Sequence, residues 1–204
     1  MSSTTLYRAS GLALLLGAVL VIVGLPLSFV FPPDSPLALA MIGVWTGGVV
    51  LAQLGGPGIV ARQAKQAGWP GFVGYLLVGS GGFLLFSFFA VLDLTVFPYL
   101  DVHAPLASFQ FFTTNPAVTV YAAVAGSLFG VGGVLLGIAT MRARVFPRGA
   151  GVLLMLGVVG LGAFVNVFLS AAMVLGLCGL GWMGYALLTA QGAAAPVPQA
   201  VPAS

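Results

Sequence analysis

The sequence predicts an all-α protein, a polytopic transmembrane helix bundle of six spans with both termini in the cytoplasm. Three observations lead there. Sixty per cent of the residues are hydrophobic and 4% are charged, against about a quarter charged in a soluble domain. So few charges cannot cover a wetted surface, so lipid must face most of the chain. The apolar residues come in continuous runs, without the alternation of a barrel strand. The 204 residues leave room for about six crossings of roughly 20 residues each. They form one domain, 1–190.

Residues 1–10 are a short polar start that holds Arg8. The first span covers 11–31. A charged start and an apolar run also describe a signal peptide, but this run exceeds an h-region of about 7–15 residues and no small-x-small site follows it. An uncleaved helix is expected, with Pro26 bending its outer third. Phe31-Pro32-Pro33-Asp34-Ser35-Pro36 makes a tight turn. The second span, 37–54, is closed by Gly55-Gly56-Pro57-Gly58, since proline lacks a donor and glycine is flexible.

Residues 59–69, IVARQAKQAGW, read as a solvated loop in which Arg62 and Lys65 share a face if helical. The third span is 71–92 and the fourth 117–140. Between them lies 93–116, DLTVFPYLDVHAPLASFQFFTTNP, which has no Lys or Arg. Its stretch LASFQFF is apolar enough to lie in the interface as a short helix, the whole segment capping the bundle on its outer side. Met141 to Ala150 is a basic turn. The fifth and sixth spans, 151–169 and 171–189, have almost no turn between them. Asn166 and Ser170 mark a hairpin there, the alternative being one long helix. The tail, 191–204, is small, Pro-rich and uncharged, and is expected to be disordered. GLALLLG from Gly11 and GVLLMLG from Gly151 echo one another, as the halves of a repeat would.

Orientation follows from the charges. With the amino terminus inside, Arg8, Arg62, Lys65, Arg142, Arg144 and Arg148 all fall on the cytoplasmic side. Asp34, Asp93 and Asp101 fall outside. This is a complete positive-inside partition. A five-span arrangement would instead put the uncharged tail outside. The six basic residues are spread over three short segments and form no nucleic-acid patch.

Few residues suggest chemistry. In the fourth span Gly126, Gly130, Gly133 and Gly137 fall on one helical face and are expected to press on a neighbour. That neighbour is another helix of the monomer or, in the sharper reading, a second copy. Gly43 to Gly47 and Ala172 to Gly176 are lesser versions. The predicted spans contain no ionisable residue, which counts against ion coupling. Ser80, Ser87, Ser127 and Asn166 remain as helix-to-helix hydrogen bonds or, for a transporter, as the lining of a polar path. Cys178 is expected to be a small buried hydrophobe. No cofactor motif is present. Asp101 and His103 would share one side of an extended segment. With Asp93 they are the only candidate acid/base or metal set, short of three ligands with a second shell. Asp93 reads more simply as the polar end of the third span.

The turn Arg142-Ala-Arg144-Val-Phe-Pro147-Arg148-Gly-Ala-Gly151, between two glycine-rich apolar runs, resembles a pattern in a family of uncharacterised bacterial six-helix integral membrane proteins. ARQAKQAGWPGFVGYLLVGSG and PYLDVHAP are similar to connecting segments there. The resemblance implies a fold and a bacterial inner membrane, and no catalytic residues. The function expected is a non-enzymatic accessory or structural component, with lipid, other membrane proteins or a second copy as partners. A small transporter or channel is the alternative, and an enzyme with an outer Asp93/Asp101/His103 site is the third.

Overall fold

The computed structural model describes residues 3–32, 34–104, 106, 110, 111, 115–163 and 168–189. Among them the chain is helical without strands. Its elements are α1 (Ser3–Ser28), α2 (Pro36–Val91), a π-helical turn (Leu92–Val96), α3 (Phe97–His103), α4 (Pro116–Ala143), α5 (Arg148–Ala163) and α6 (Phe168–Thr189). Four apolar stretches are long enough to cross a bilayer: Thr4–Ser28, Pro36–Asp101, Pro116–Ala143 and Ala172–Thr189. Arg148–Gly160 is apolar and shorter.

The helix starts use standard chemistry. Ser35 caps α2, its hydroxyl accepting from the Ala38 amide at 3.1 Å, with Pro36 in the first turn. Asn115 caps α4 by accepting from the amides of Ala117 and Val118, with Pro116 behind it. Each cap satisfies amides that no helical carbonyl can reach. At the other end of α4, Arg144 adopts the left-handed conformation (φ 55°) and turns the chain toward α5.

The largest departure from expectation is in α2. Gly55-Gly56-Pro57-Gly58 does not end a helix, and 59–69 is not a solvated loop. The helix runs through both, and Ile59 and Gln63 are buried. These glycines are packing surfaces. A Cβ at Gly55 would lie 2.7 Å from the Ser10 carbonyl oxygen, and one at Gly58 would run into the Ser10 side chain. The chain reverses instead at Gly68, whose φ of 57° and ψ of −155° suit glycine alone. Pro70 then opens the returning limb. The two limbs, 36–67 and 69–91, lie antiparallel: a Cβ at Gly56 would strike the Tyr75 ring, and one at Gly82 would sit 2.7 Å from Gln53 Nε2.

Other expected boundaries shift as well. The expected polar start belongs to α1, and Ser10 within it is buried. Asp93 does not end a helix, since the chain passes through it in the π turn and continues helically to His103. The fifth and sixth helices form a hairpin: Gly157 meets Gly176, while Gly179 would place a Cβ 2.7 Å from the Ala150 carbonyl oxygen. Asn166 and the tail 191–204 lie outside the described residues, as do Ala107, Ser108, Phe109 and Phe112 of the proposed interfacial helix.

Neighbours follow chain order around a ring. Helix α1 packs on the first limb of α2, the second limb on α4, α4 on α5, α5 on α6, and α6 returns to α1. Each step is antiparallel and close. Gly17 approaches the Gly48 carbonyl, Gly74 the Leu136 amide, Gly132 the Val78 amide, and Gly11 the Gly184 carbonyl. Small residues allow such backbone approach, which maximises dispersion contact between helices. Two apolar clusters stack along the axis. One centres on Leu14, Ile59, Phe146, Leu154 and Met183, the other on Val21, Ile42, Trp45 and Met173.

Candidate functional site

Because every step of the ring is antiparallel, residues distant in sequence collect at its two ends. Arg8, Arg62, Lys65, Arg142, Arg144 and Arg148 gather at one end. Asp34, Asp93 and Asp101 gather at the other.

The acidic end holds the only catalytic candidates that the sequence offered, and it does not bring them together. The backbone from Phe97 to His103 is helical, not extended. Residues two apart on a helix point about 200° apart around its axis, so Asp101 and His103 leave opposite sides. Both are exposed. The His103 ring stacks on Tyr99 with centroids 4.3 Å apart, and its Nδ1–H donates to the Tyr99 carbonyl oxygen at 2.9 Å. Asp93 is half-buried in the π turn, about 12 Å along the axis from Asp101 at 1.5 Å per residue. Among the described residues no group of three His, Cys, Asp or Glu could hold a metal ion.

The basic end is tightly built. Gln63, on the first limb of α2, is 1% exposed, and its Oε1 accepts from the Thr140 hydroxyl of α4 at 3.1 Å. Its Nε2 is buried without a hydrogen-bond partner. The Arg62 guanidinium lies over the Phe146 ring, 5.7 Å from its centroid. Phe146, in the α4–α5 turn, is 3% exposed. Trp182 of α6 covers Gly149, where a Cβ would sit 2.9 Å from the indole. Four helical limbs are thus tied through the basic turn.

The expected glycine stripe of α4 divides. Gly133 faces Val158, 2.6 Å from its added Cβ, and Gly137 faces Met155 of the same helix. Gly126 and Gly130 meet nothing within 4 Å, as do Gly43 and Gly47. These four do not pack within the monomer. Gly132, which was not singled out, makes the close approach to α2 instead. Ser80, Ser87 and Ser127 are exposed on the outside of the ring and do not converge on any path. Bonds between helices include those of Thr140 and of Tyr121, whose hydroxyl donates to the Leu84 carbonyl oxygen at 2.9 Å. Cys178 is exposed on α6 and not buried as expected.

The space that all the limbs share is a central cavity of about 100 Å³. Leu14, Ile59, Val78, Leu136, Leu154 and Leu177 contribute one wall residue from each limb. Two polar side chains reach it, Gln53 and Tyr75, from the facing limbs of α2. Gln53 Nε2 donates to the Gly79 carbonyl oxygen at 3.5 Å, the outer limit of a hydrogen bond. Sequence reasoning missed this pair. The signal was present: Gln53 is the one amide in the second apolar run, four residues before Pro57.

No protein-family model, no curated protein and no solved structure matches this chain.

Proposed function

We propose that this chain is an integral protein of a bacterial inner membrane, with six spans and both termini in the cytoplasm. It acts there as a non-enzymatic accessory or structural component. One observation carries the placement. Large apolar side chains point outward all around the ring: Leu16 and Val23 on α1, Leu54 and Phe83 on α2, Val124 on α4, Leu156 on α5 and Leu175 on α6. A water-soluble monomer rarely exposes an apolar patch beyond a few hundred Å². Lipid is the environment that such a surface fits. The separation of basic and acidic ends supports the orientation. The scattering of Asp93, Asp101 and His103 supports a non-enzymatic role, since no base, nucleophile and orienting group are in mutual reach. A polar transport path draws no support, because Ser80, Ser87 and Ser127 turn outward. The partners that this reading includes are lipid and a second copy of the chain, the open Gly126 and Gly130 providing its seam.

Reporter fusions after Leu100, Arg148 and Thr189 test the placement. The first should report the outer side and the other two the cytoplasm. Same-side signals from Leu100 and Arg148 would overturn it. The role is tested by complementing a deletion strain with a chain carrying Asp93→Asn, Asp101→Asn and His103→Ala. Full complementation is expected, and loss of it would return chemistry to the acidic end.

A further inference from the structure

The central cavity is unexplained by a purely structural role. A bundle whose neighbouring backbones approach so closely could close its axis with larger side chains. Instead, Ala52, Gly56, Gly157 and Gly176 stand on the cavity wall. Gly157 and Gly176 serve the α5–α6 contact, Gly56 the approach of Tyr75 and Ala52 the approach of Gly17, yet space remains between them. The wall is otherwise aliphatic and aromatic. A water beside Gln53 and Tyr75 would reach the lower limit of two polar partners, but it would leave the rest of this apolar wall without contact. An apolar cavity of roughly 150 Å³ accepts benzene. The space here, about 100 Å³, is smaller, so it suits one short chain end, or one small ring if the wall shifts to admit it.

The two polar groups narrow the chemistry. Gln53 spends its amide N–H on one long bond to Gly79. The Tyr75 hydroxyl makes no hydrogen bond among the described residues. Both therefore have capacity to spare on the wall formed by the two limbs of α2. An occupant with a single hydroxyl or carbonyl oxygen would use that capacity, whereas a hydrocarbon would leave it unused.

We propose that the cavity is a binding site for a small lipid-soluble molecule, one ring or a short chain, that carries a single hydroxyl or carbonyl oxygen. The oxygen faces Gln53 and Tyr75, and the apolar part lies among Leu136, Leu154 and Leu177. The site extends the proposed membrane role by giving it a ligand. It rests on that role only for the source of the ligand, which partitions into the bilayer.

The test uses the full chain purified in detergent, with 4-bromophenol and 4-bromotoluene as probes. The two differ by a hydroxyl against a methyl group. Saturable stabilisation by 4-bromophenol is expected in thermal unfolding, with weaker stabilisation by 4-bromotoluene. In crystals grown with 4-bromophenol, the bromine anomalous peak should lie inside the ring. Tyr75→Phe keeps the ring shape and should weaken 4-bromophenol about tenfold while leaving 4-bromotoluene unchanged. Gln53→Leu provides the same contrast should Tyr75→Phe fold poorly. The proposal is overturned by bromine found only on the outer surface, by the absence of saturable binding, or by equal binding of the two probes in the wild type and both variants. The reporter fusions read placement and the bromine reads the cavity, so failure of one is not mistaken for failure of the other.

Discussion

The two ends of this bundle are made from the same kind of chain and are held very differently. At the basic end Gln63, Thr140 and Phe146 are buried, the half-exposed Trp182 covers Gly149, and together they tie four helical limbs beneath the charged groups. At the acidic end the helix simply continues past Leu92, through a π turn, to an exposed Asp101 and His103. Among the described residues its contacts include Phe97 against Phe111 at 5.9 Å and, within one helix, Tyr99 against His103. The lesson is that charge does not locate the constraint. The three carboxylates looked like chemistry, while the arginines looked like solvated anchors. The frame lies under the arginines.

That contrast can be broken most directly at Phe146. Truncating a buried phenylalanine to alanine costs about 3–5 kcal/mol, so Phe146→Ala should abolish most folded yield after detergent extraction, measured by size-exclusion chromatography. A near-normal yield would mean that the basic end is not the more constrained one. The same contrast exists along α4. Gly133→Leu, driven against Val158, should destabilise by about 1–3 kcal/mol. Gly130→Leu, which meets open space, should leave monomer stability unchanged in the same thermal scan. If the two lose stability equally, the division of the stripe is wrong.

Gln63 offers a subtler case. Thr140→Val leaves a buried amide oxygen unpaired and should cost about 1–3 kcal/mol. Removing both partners, as Gln63→Leu with Thr140→Val, should recover most of that loss, because no buried polar group is then orphaned. A double-mutant cycle by thermal denaturation reads the coupling, and strict additivity would mean that the bond contributes nothing. The smallest effect belongs to the acidic end. His103→Ala should change stability by no more than about 0.5 kcal/mol, as exposed substitutions do. A larger loss would show that stacking on Tyr99 holds the outer segment in place.

The helical class and most of the apolar helices were legible in the sequence, because continuous apolar runs depend on composition alone, whereas the caps at Ser35 and Asn115 were not read from it. The reversal of α2 was misread for a physical reason. The chain contains Gly55-Gly56-Pro57-Gly58 and, shortly after, Gly68-Trp69-Pro70-Gly71. The two look alike as punctuation. Only the second uses glycine for a positive φ, while the first uses it for close approach to α1 and Tyr75. Sequence alone does not distinguish these uses. Register is equally hidden. Gly132 and Gly133 touch different helices while Gly130 touches none, and one residue of rotation decides which. The Gln53 and Tyr75 pair faces the cavity only because α2 doubles back.

The contact between α6 and α1 has a consequence for how the protein is made. Gly11 and Gly184 press backbone to backbone, yet they lie at opposite ends of the ring's sequence. During synthesis α1 emerges first, and its face bearing Gly11 has no partner until α6 follows. Every other face can be covered by the next helix to appear. The ring is therefore assembled as an open arc and sealed in its final step. A chain that stops before α6 leaves that face of α1 without its helix partner.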